Sequence, residues 1–439
     1  MSRLVGILGI IIILGLAYLM SNNRKAINYK TIGVGFLLQI FFALFIFKIP
    51  IGEKIFLALG NFVTKILDFA TNGGAFVFGP LMDRTKLVLV WGSEANILAL
   101  QFIASLIFMM ILVNILYYYG IIQRIIPFFG KIMNKLMAVS GAEALSNVAS
   151  PFLGQISAQI TIRPYLEKLT RSELLASMAG SMSCVSFATM PIYIGMFKFA
   201  HMPSVSSTFA QYILASSIMA IPGAFVISKI IYPETHVPET SQNFSIQYNK
   251  RKKPYINVFD AISAGASEGM KVALNVIAMI LALVALVAML DWFLGIIGTG
   301  IIKIFNIHTG AIGYYAFSHL SLKYIMGKIF GVFAFLIGVP LKESATVGGL
   351  MGTKLVLNEM VAYFDLSQLF TTLSQKSFLI ATFALCNFAN FGSVAIQLGG
   401  IGELAPNQRK NLARLGIRAL ICGTLTGYLS AAIVGILFN

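Results

Sequence analysis

Residues 352–363 read Gly352-Thr353-Lys354-Leu355-Val356-Leu357-Asn358-Glu359-Met360-Val361-Ala362-Tyr363. They contain a single acid, Glu359, and they belong to an apolar stretch, 338–366, that glycines and small polar residues interrupt. Such a stretch is too broken to cross a bilayer, which takes about 20 helical residues, yet it is too apolar to leave one. Irregular backbone at membrane depth is tolerated only inside protein or beside a water-filled cavity. The segment therefore predicts a re-entrant hairpin in an integral membrane protein.

The composition of the whole chain agrees with this interpretation. The chain has 439 residues, of which 58% are hydrophobic and 11% are charged, and its mean hydropathy is +0.84. Soluble domains carry about 25% charged residues, so an ordinary cytosolic enzyme and a disordered chain are both excluded. The net charge of +16 is typical of basic cytoplasmic loops rather than of nucleic-acid binding. Membrane lipid is the expected surrounding and nucleic acid is not an expected partner.

Eight membrane spans are predicted from apolar stretches of sufficient length. Six are continuous and lie at residues 4–20, 32–48, 98–119, 208–232, 270–298 and 414–438. Two more, 172–200 and 370–400, are apolar but interrupted by Gly, Ser, Asn and Pro. The dense basic clusters fall in alternate loops, so they all lie on one side of the membrane. Because cytoplasmic loops are rich in Lys and Arg, that side is predicted to be cytoplasmic and both termini are predicted to lie outside.

A second broken stretch, 130–166, has the same character as 338–366, and each precedes one of the interrupted spans. Hairpin plus broken helix thus occurs twice, a pattern typical of transporters with inverted halves and a substrate at the midplane. Residues 50–70 and 256–270 are interpreted as amphipathic helices on the membrane surface. The predicted fold class is an all-α membrane protein: eight transmembrane helices with two re-entrant hairpins, forming an inverted-repeat transport core and a scaffold.

Five regions follow from this organisation. They are N-terminal scaffold helices with an interfacial helix (1–125), a first hairpin and broken helix of the transport core (126–200), scaffold helices with a cytoplasmic linker at 234–256 (201–336), a second hairpin and broken helix of the core (337–400), and a C-terminal helix (401–439).

Polar residues inside these apolar stretches are the candidates for function, because intramembrane acids are rare and usually functional. Glu359 is predicted to accept hydrogen bonds from substrate hydroxyls or to carry a coupling proton; an ion pair with Lys354 is the alternative. The Gln155 amide is predicted to read a polar ring edge or, alternatively, to satisfy hairpin backbone. Asn390 and Ser393 are three residues apart and would share a helix face. They are predicted to contact substrate, and the alternative is that they mediate packing between helices.

Span 172–200 is interrupted by the polar side chains of Ser181, Ser183, Cys184 and Ser186. Their hydroxyls, with carbonyls freed by the break, are predicted to coordinate a small cation, and hydrogen bonding between helices is the alternative. Nothing in the sequence indicates an enzyme, since it contains no nucleophile elbow, metal-ligand cluster or phosphate loop.

Several segments in order give the chain a family resemblance. They are Gly74-Ala75-Phe76-Val77-Phe78-Gly79-Pro80-Leu81, Gly154-Gln155, Pro164-Tyr165-Leu166, Thr170-Arg171-Ser172-Glu173-Leu174, Gly338-Val339-Pro340, the G-x-K-x-x-x-N-E segment 352–359 with Val361-Ala362-Tyr363, and Phe388-Ala389-Asn390-Phe391-Gly392-Ser393. From about residue 30 onward the chain resembles the concentrative nucleoside transporters of bacterial eight-span type. The resemblance implies an ion-driven importer, a homotrimer whose protomers each move a transport domain across a static scaffold.

The resemblance also implies roles for single residues. Glu359, Asn390 and Ser393 match positions that hold the ribose, and Gln155 matches one that contacts the base. Ile156 and Ser157 stand where the family usually has Thr or Ser and then Glu, so the base-reading carboxylate is absent. Base preference, and any coupling step that uses that acid, therefore stay open.

A sodium site is implied at Ser150, Leu153 and Ser183. Ser150 stands where the family tends to have Asn, and it supplies a single, weaker oxygen.

The resulting functional prediction is a multi-pass symporter of the cell membrane that imports nucleosides. It needs no cofactor beyond a coupling sodium ion or proton. Because the base-side acid is missing, the alternative is an ion-coupled transporter of a modified nucleoside, a nucleobase or another small polar solute. A membrane-embedded enzyme or receptor is a third class, for which the sequence offers no reactive constellation.

Overall fold

The structure is a computed structural model that describes residues 2–92, 97–199, 203–241, 255–306 and 317–438. Every regular element in these ranges is helical, as the predicted fold class requires. The α-helices are α1 Ser2–Leu19, α2 Tyr29–Phe47, α3 Pro50–Phe78, α4 Arg84–Trp91, α5 Leu98–Tyr118, α6 Ile122–Met137, α7 Gly141–Leu153, α8 Ser157–Ile160, α9 Arg163–Leu166, α10 Arg171–Met182, α11 Met190–Phe199, α12 Pro203–Ile231, α13 Val258–Ile304, α14 Leu322–Leu336, α15 Leu341–Val356, α16 Glu359–Gln368, α17 Gln375–Leu385, α18 Phe391–Leu404 and α19 Arg409–Leu437.

Within the described ranges, five helices are long and apolar enough to cross a membrane: α2, α5, α12, α13 and α19. A sixth is added if α14 and α15, which meet at a bend of 118°, are counted as one broken span. Helix α1 is apolar but shorter, and the stretches 172–200 and 370–400 each form two short helices. The full count of eight spans therefore stays a prediction.

The bundle is centred on α12 and α19, which are buried along nearly their whole length, whereas α13 is mostly exposed. Around this centre the predicted order of elements occurs twice. A helix, a break and short returning helices (α7 to α9) precede the divided pair α10 and α11, and α15 and α16 precede the divided pair α17 and α18. Whether α7 to α9 and α15 to α16 re-enter the membrane from one side remains a prediction.

The local sequence explains where these helices begin. Helix α7 starts with a capping box between Ser140 and Glu143, and α10 starts with the same motif from Thr170 and Glu173. Such a box satisfies two backbone N–H groups at each helix start. Helix α7 then ends at Gly154, whose φ of 83° lies in the region that favours glycine. Sharp, capped ends let a helix stop at membrane depth without leaving its backbone unpaired.

The described structure departs from the sequence interpretation at 256–270. That stretch is not a separate surface helix, because it is continuous with the following span in the 47-residue α13. Gly265 and Gly269 lie directly against the backbone of α5 at Ile111 and Ile107, so close packing with α5 carries the helix straight through. The other stretch, 50–70, is helical as predicted and the helix extends to Phe78; its position on the membrane surface stays a prediction.

Part of the predicted cytoplasmic linker 234–256 is docked on the bundle. Thr240 is buried; its carbonyl accepts from the Gly141 N–H at 3.2 Å, and its hydroxyl accepts from the Ala142 N–H at 3.1 Å. The linker therefore helps to cap the start of α7. Residues 242–254 of the linker lie outside the described residues.

The contact between α14 and α15 depends on glycine. A methyl group built on Gly348 would overlap the backbone nitrogen of Gly331 on the facing helix. We expect Gly348→Ala to destabilise the protein by about 1–3 kcal/mol, because overpacking forces backbones apart. A fall in the melting temperature of the detergent-solubilised protein is the measurement.

The matched control is Gly33→Ala, because a methyl group on Gly33 of α2 meets open space. Melting temperatures that fall equally in both variants would contradict the close approach of α14 and α15.

Candidate functional site

The candidate site lies where two helices begin at their breaks. Asn358 is the N-cap of α16 and accepts from the Val361 N–H at 3.0 Å. Asn390 is the N-cap of α18 and accepts from the Ser393 N–H at 2.8 Å. Glu359 is therefore the first residue of α16 and lies in its first turn, where a negative charge is favoured by the helix dipole.

Glu359 is buried and held by two donors. The Tyr193 hydroxyl donates to Oε1 at 2.9 Å, and the Asn390 Nδ2 donates to Oε2 at 3.2 Å. An ionised carboxylate has about four acceptor positions, so it retains capacity for further donors. The carboxylate is thus oriented by the protein and still able to bind a ligand hydroxyl.

The Lys354 side chain, the alternative partner of Glu359, points elsewhere. Its ammonium group is fully buried and donates to the carbonyl of Ala389 at 3.0 Å. No ion pair joins Lys354 to Glu359 in the part of the chain that the structure describes. Lys354 therefore stabilises the break between α17 and α18 and leaves the carboxylate to Tyr193 and Asn390.

The network continues from α18 to the break after α7. The Gln155 Nε2 donates to the Ser393 Oγ at 3.3 Å, while the Gln155 Oε1 is buried and has no hydrogen-bond partner among the described residues. A chain of hydrogen bonds thus runs from Gln155 to Tyr193 through Ser393, Asn390 and Glu359, with the Ser393 backbone N–H as the link to Asn390. The network connects the two predicted halves, 126–200 and 337–400, and the Gln155 oxygen keeps its lone pairs.

These side chains border a cavity of about 590 Å³, a size typical of small-molecule sites. Its polar lining comprises Gln155, Ser157, Ser186, Thr189, Tyr193, Glu268, Asn358, Glu359, Asn390 and Ser393. An apolar stripe of α13, formed by Val272, Val276, Met279, Ile280 and Leu283, also lines the cavity. A ligand that combines polar groups with a flat, less polar face fits this mixed lining.

One predicted ligand-contacting residue does not line the cavity. Ile156 is half-buried, and its side chain fills the space over Gly400 of α18, whereas Ser157 is exposed and borders the cavity. The structure therefore brings Gln155, Ser157, Glu359, Asn390 and Ser393 together and turns Ile156 into a packing contact.

The predicted cation-binding segments lie side by side. The Phe187 N–H, in the break between α10 and α11, donates to the carbonyl of Pro151 near the end of α7 at 2.7 Å. The Ser150 hydroxyl donates to the Ser146 carbonyl at 2.8 Å, and the Ser183 hydroxyl donates to the Ala179 carbonyl at 2.6 Å. With their protons committed, both hydroxyl oxygens keep lone pairs, which suit a hard cation.

Sequence reasoning missed two members of the site, Tyr193 and Glu268. Tyr193 follows the polar break at 181–189 in an otherwise apolar run, and this placement was the available signal. Glu268 lies on α13, where Asn114 of α5 donates to its Oε2 at 3.4 Å. It was interpreted as part of a surface helix, so its place at the cavity went unnoticed.

Comparison with known proteins gives consistent matches along the chain. Residues 8–81 match the family described as the Na+ dependent nucleoside transporter N-terminus, and residues 212–435 match the one described as its C-terminus. Residues 99–200 match a family described as nucleoside recognition.

Full-length relatives and solved structures agree with these matches. An uncharacterised transporter of Bacillus subtilis, YutK, is 37% identical over 99% of both chains. The nucleoside permease NupC of Helicobacter pylori is 31% identical over 99% of this chain and 98% of its own. The structure of CNTnw in an inward-facing substrate-bound state superposes with a TM-score of 0.87 at 34% identity, covering 99% of this chain and 98% of that one.

Proposed function

Because the chain belongs to the family of Na+ dependent nucleoside transporters, we propose that it imports nucleosides across the cell membrane by symport with a cation. It is an integral membrane protein and a transporter, not an enzyme. The hydrogen-bonded chain from Gln155 to Tyr193 along the cavity is the observation that carries the proposal, because it offers an oriented carboxylate at one end and a free amide oxygen at the other.

In this proposal Glu359, Asn390 and Ser393 hold the ribose. Sugar hydroxyls donate to the remaining lone pairs of the Glu359 carboxylate, a charge-assisted bond worth about 1.5–3 kcal/mol. The Ser393 hydroxyl accepts from Gln155 and is still able to donate its own proton to a sugar oxygen.

Gln155 and Ser157 face the base in the same proposal. The unpaired Gln155 oxygen accepts from a base N–H group, and the apolar stripe of α13 covers the flat face of the ring. The assembly is proposed to be a homotrimer; the exposed apolar side chains of α13, such as Leu281 and Trp292, support contact with other subunits or with lipid.

Two substitutions of different severity test the role of the Glu359 carboxylate. Glu359→Gln is expected to abolish nucleoside uptake with normal expression, because the amide cannot replace a charged acceptor with two free positions. Tyr193→Phe is expected to weaken nucleoside binding about tenfold, because it removes one donor that orients the carboxylate. Binding is measured by calorimetry on purified protein, and uptake in proteoliposomes.

Tyr363→Phe is the matched control. Tyr363 is buried beside Tyr193, with ring centroids 5.1 Å apart, but its hydroxyl donates to the Thr382 carbonyl. The Tyr363→Phe variant is expected to lower the stability of the protein while leaving its affinity for nucleosides unchanged. Full uptake by Glu359→Gln, or equal loss of affinity in the two tyrosine variants, would contradict the proposed role of the carboxylate.

We propose sodium as the coupling ion, with oxygens of Ser150, Leu153 and Ser183 as its ligands. The contact between the α7 end and the α10–α11 break supports this choice. An inward sodium gradient is expected to drive uptake into proteoliposomes, and Ser183→Ala is expected to raise the sodium concentration for half-maximal uptake about tenfold, since it removes one ligand oxygen.

Ser228→Ala is the control for that experiment. Ser228 is also buried and donates to a carbonyl of its own helix, that of Phe225, but it lies outside the proposed cation site. Uptake that follows an imposed proton gradient and ignores sodium would overturn sodium coupling without affecting the proposed nucleoside site.

The second candidate function, transport of a modified nucleoside, a nucleobase or another small polar solute, is favoured by Ser157 at the base end. If ribose is recognised, unlabelled nucleosides are expected to inhibit uptake while free bases inhibit at least about tenfold less, because bases lack partners for Glu359. Ser157→Glu is expected to change the ranking of nucleosides by base, with Ser157→Ala as control. Equal inhibition by free bases would favour the second candidate.

A further inference from the structure

A second cavity, remote from the candidate site, has a strongly basic lining. It measures about 360 Å³ and lies at the side of the protein predicted to be cytoplasmic. We call it the arginine pocket; its lining residues are Arg171, Arg414 and Arg418, with Asn22, Tyr232, Asn411 and Leu415. The arginines come from two helices, the start of α10 and the first turns of α19.

The pocket contains no acid to balance these charges. None of its lining residues is Asp or Glu, and in the described part of the chain none of the three arginines takes part in an ion pair. Arg414 and Arg418 are four residues apart on one helix face, where like charges destabilise a helix by a few tenths of a kcal/mol. Arg171 and Arg414 are exposed and Arg418 is half-buried, so the three charges face a space that an anion can enter.

Neutral neighbours hold two of the arginines in position. The Arg171 Nε donates to the Asn411 Oδ1 at 3.1 Å, and the Arg418 guanidinium lies 5.8 Å from the centre of the Tyr232 ring. These contacts fix the side chains without neutralising them. Arg171 is also the first residue of α10, and the helix dipole adds positive potential at that end.

The positive-inside rule explains why basic residues lie on the side predicted to be cytoplasmic, but it does not explain why three arginines converge on one cavity. Arg409 and Lys410 satisfy that rule on the same helix and do not line the pocket. Arginines from separate helices around a concave space suit a phosphate group, because the planar guanidinium donates two parallel hydrogen bonds to it. Basic pockets between membrane helices on the cytoplasmic side are also suited to anionic lipid headgroups.

We propose that the arginine pocket binds a phosphate group, carried either by an anionic phospholipid of the cytoplasmic leaflet or by a soluble phosphate compound. Bound there, the phosphate bridges α10, which belongs to the first broken span, and α19, the C-terminal helix. The ligand would thereby tie two segments that are 240 residues apart in sequence through charge-assisted hydrogen bonds.

The test uses the purified full-length protein. In nanodiscs, replacing phosphatidylcholine by phosphatidylglycerol is expected to raise the melting temperature of the wild type, and native mass spectrometry is expected to retain phosphatidylglycerol. In lipid-depleted detergent, inorganic phosphate and a nucleoside monophosphate probe the soluble alternative. The double variant Arg414→Gln/Arg418→Gln is expected to bind whichever phosphate the wild type prefers at least about tenfold more weakly.

The matched control is Arg409→Gln/Lys410→Gln, which removes the same charge from the same end of α19 outside the pocket. If the first double variant does not fold, Arg171→Gln tests the pocket from the other helix, with nucleoside binding as the check on folding. Preference for the lipid or for the soluble phosphate identifies the source. Equal binding by pocket and control variants, or no phosphate binding by the wild type, would overturn the proposal.

Discussion

Helix ends buried within the protein have to satisfy their backbone groups from nearby side chains, and the candidate site follows from this constraint. Asn358 and Asn390 cap α16 and α18 with their side-chain oxygens, and the Lys354 ammonium satisfies the Ala389 carbonyl at the neighbouring break. Each of these residues therefore has a structural task. Glu359 and Ser393 lie one and three residues after the two caps, so the groups proposed to bind ligand are positioned by the same breaks.

The proposed nucleoside site and the proposed sodium site are also connected through the ends of these helices. Gly154 ends α7, and Gln155, the residue proposed to read the base, follows it directly. The carbonyls and hydroxyls proposed to bind sodium belong to the last turn of α7 and to the break between α10 and α11, which contact each other through Phe187 and Pro151. A cation that tightens this contact would act on the backbone that carries Gln155. In the proposed function, sodium binding and nucleoside binding are therefore coupled through adjacent residues.

Much of the site was predictable because polar residues are scarce in apolar segments. Glu359, Asn390, Ser393 and Gln155 stand out in the sequence for that reason, Ser157 is implied by the family resemblance, and the structure places all five around one cavity. The breaks that divide α10 from α11 and α17 from α18 were also readable from interrupted hydrophobicity. These signals are local, so a single sequence carries them in full.

The remaining features depend on contacts between distant segments. The bond from Tyr193 to Glu359 joins residues 166 positions apart; the polar break before Tyr193 marks it as a candidate for the site, but nothing in the sequence marks it as the partner of that acid. The continuity of α13 depends on glycines meeting the α5 backbone, while its sequence alone suggests a surface helix followed by a span. The basic residues of the arginine pocket were interpreted individually as signals of topology, and their convergence appears only in three dimensions.

The position of Ile156 against Gly400 restricts how substrate preference can drift during evolution. A side chain wedged over a glycine of another helix is committed to packing, so replacements there are selected first for shape. The neighbouring position, Ser157, is exposed and borders the cavity, so a replacement there does not have to preserve the packing over Gly400. In the proposed function, a single substitution at 157 is therefore enough to change selectivity for the base, and relatives that differ at 157 but keep a bulky aliphatic residue at 156 are expected to differ in substrate preference.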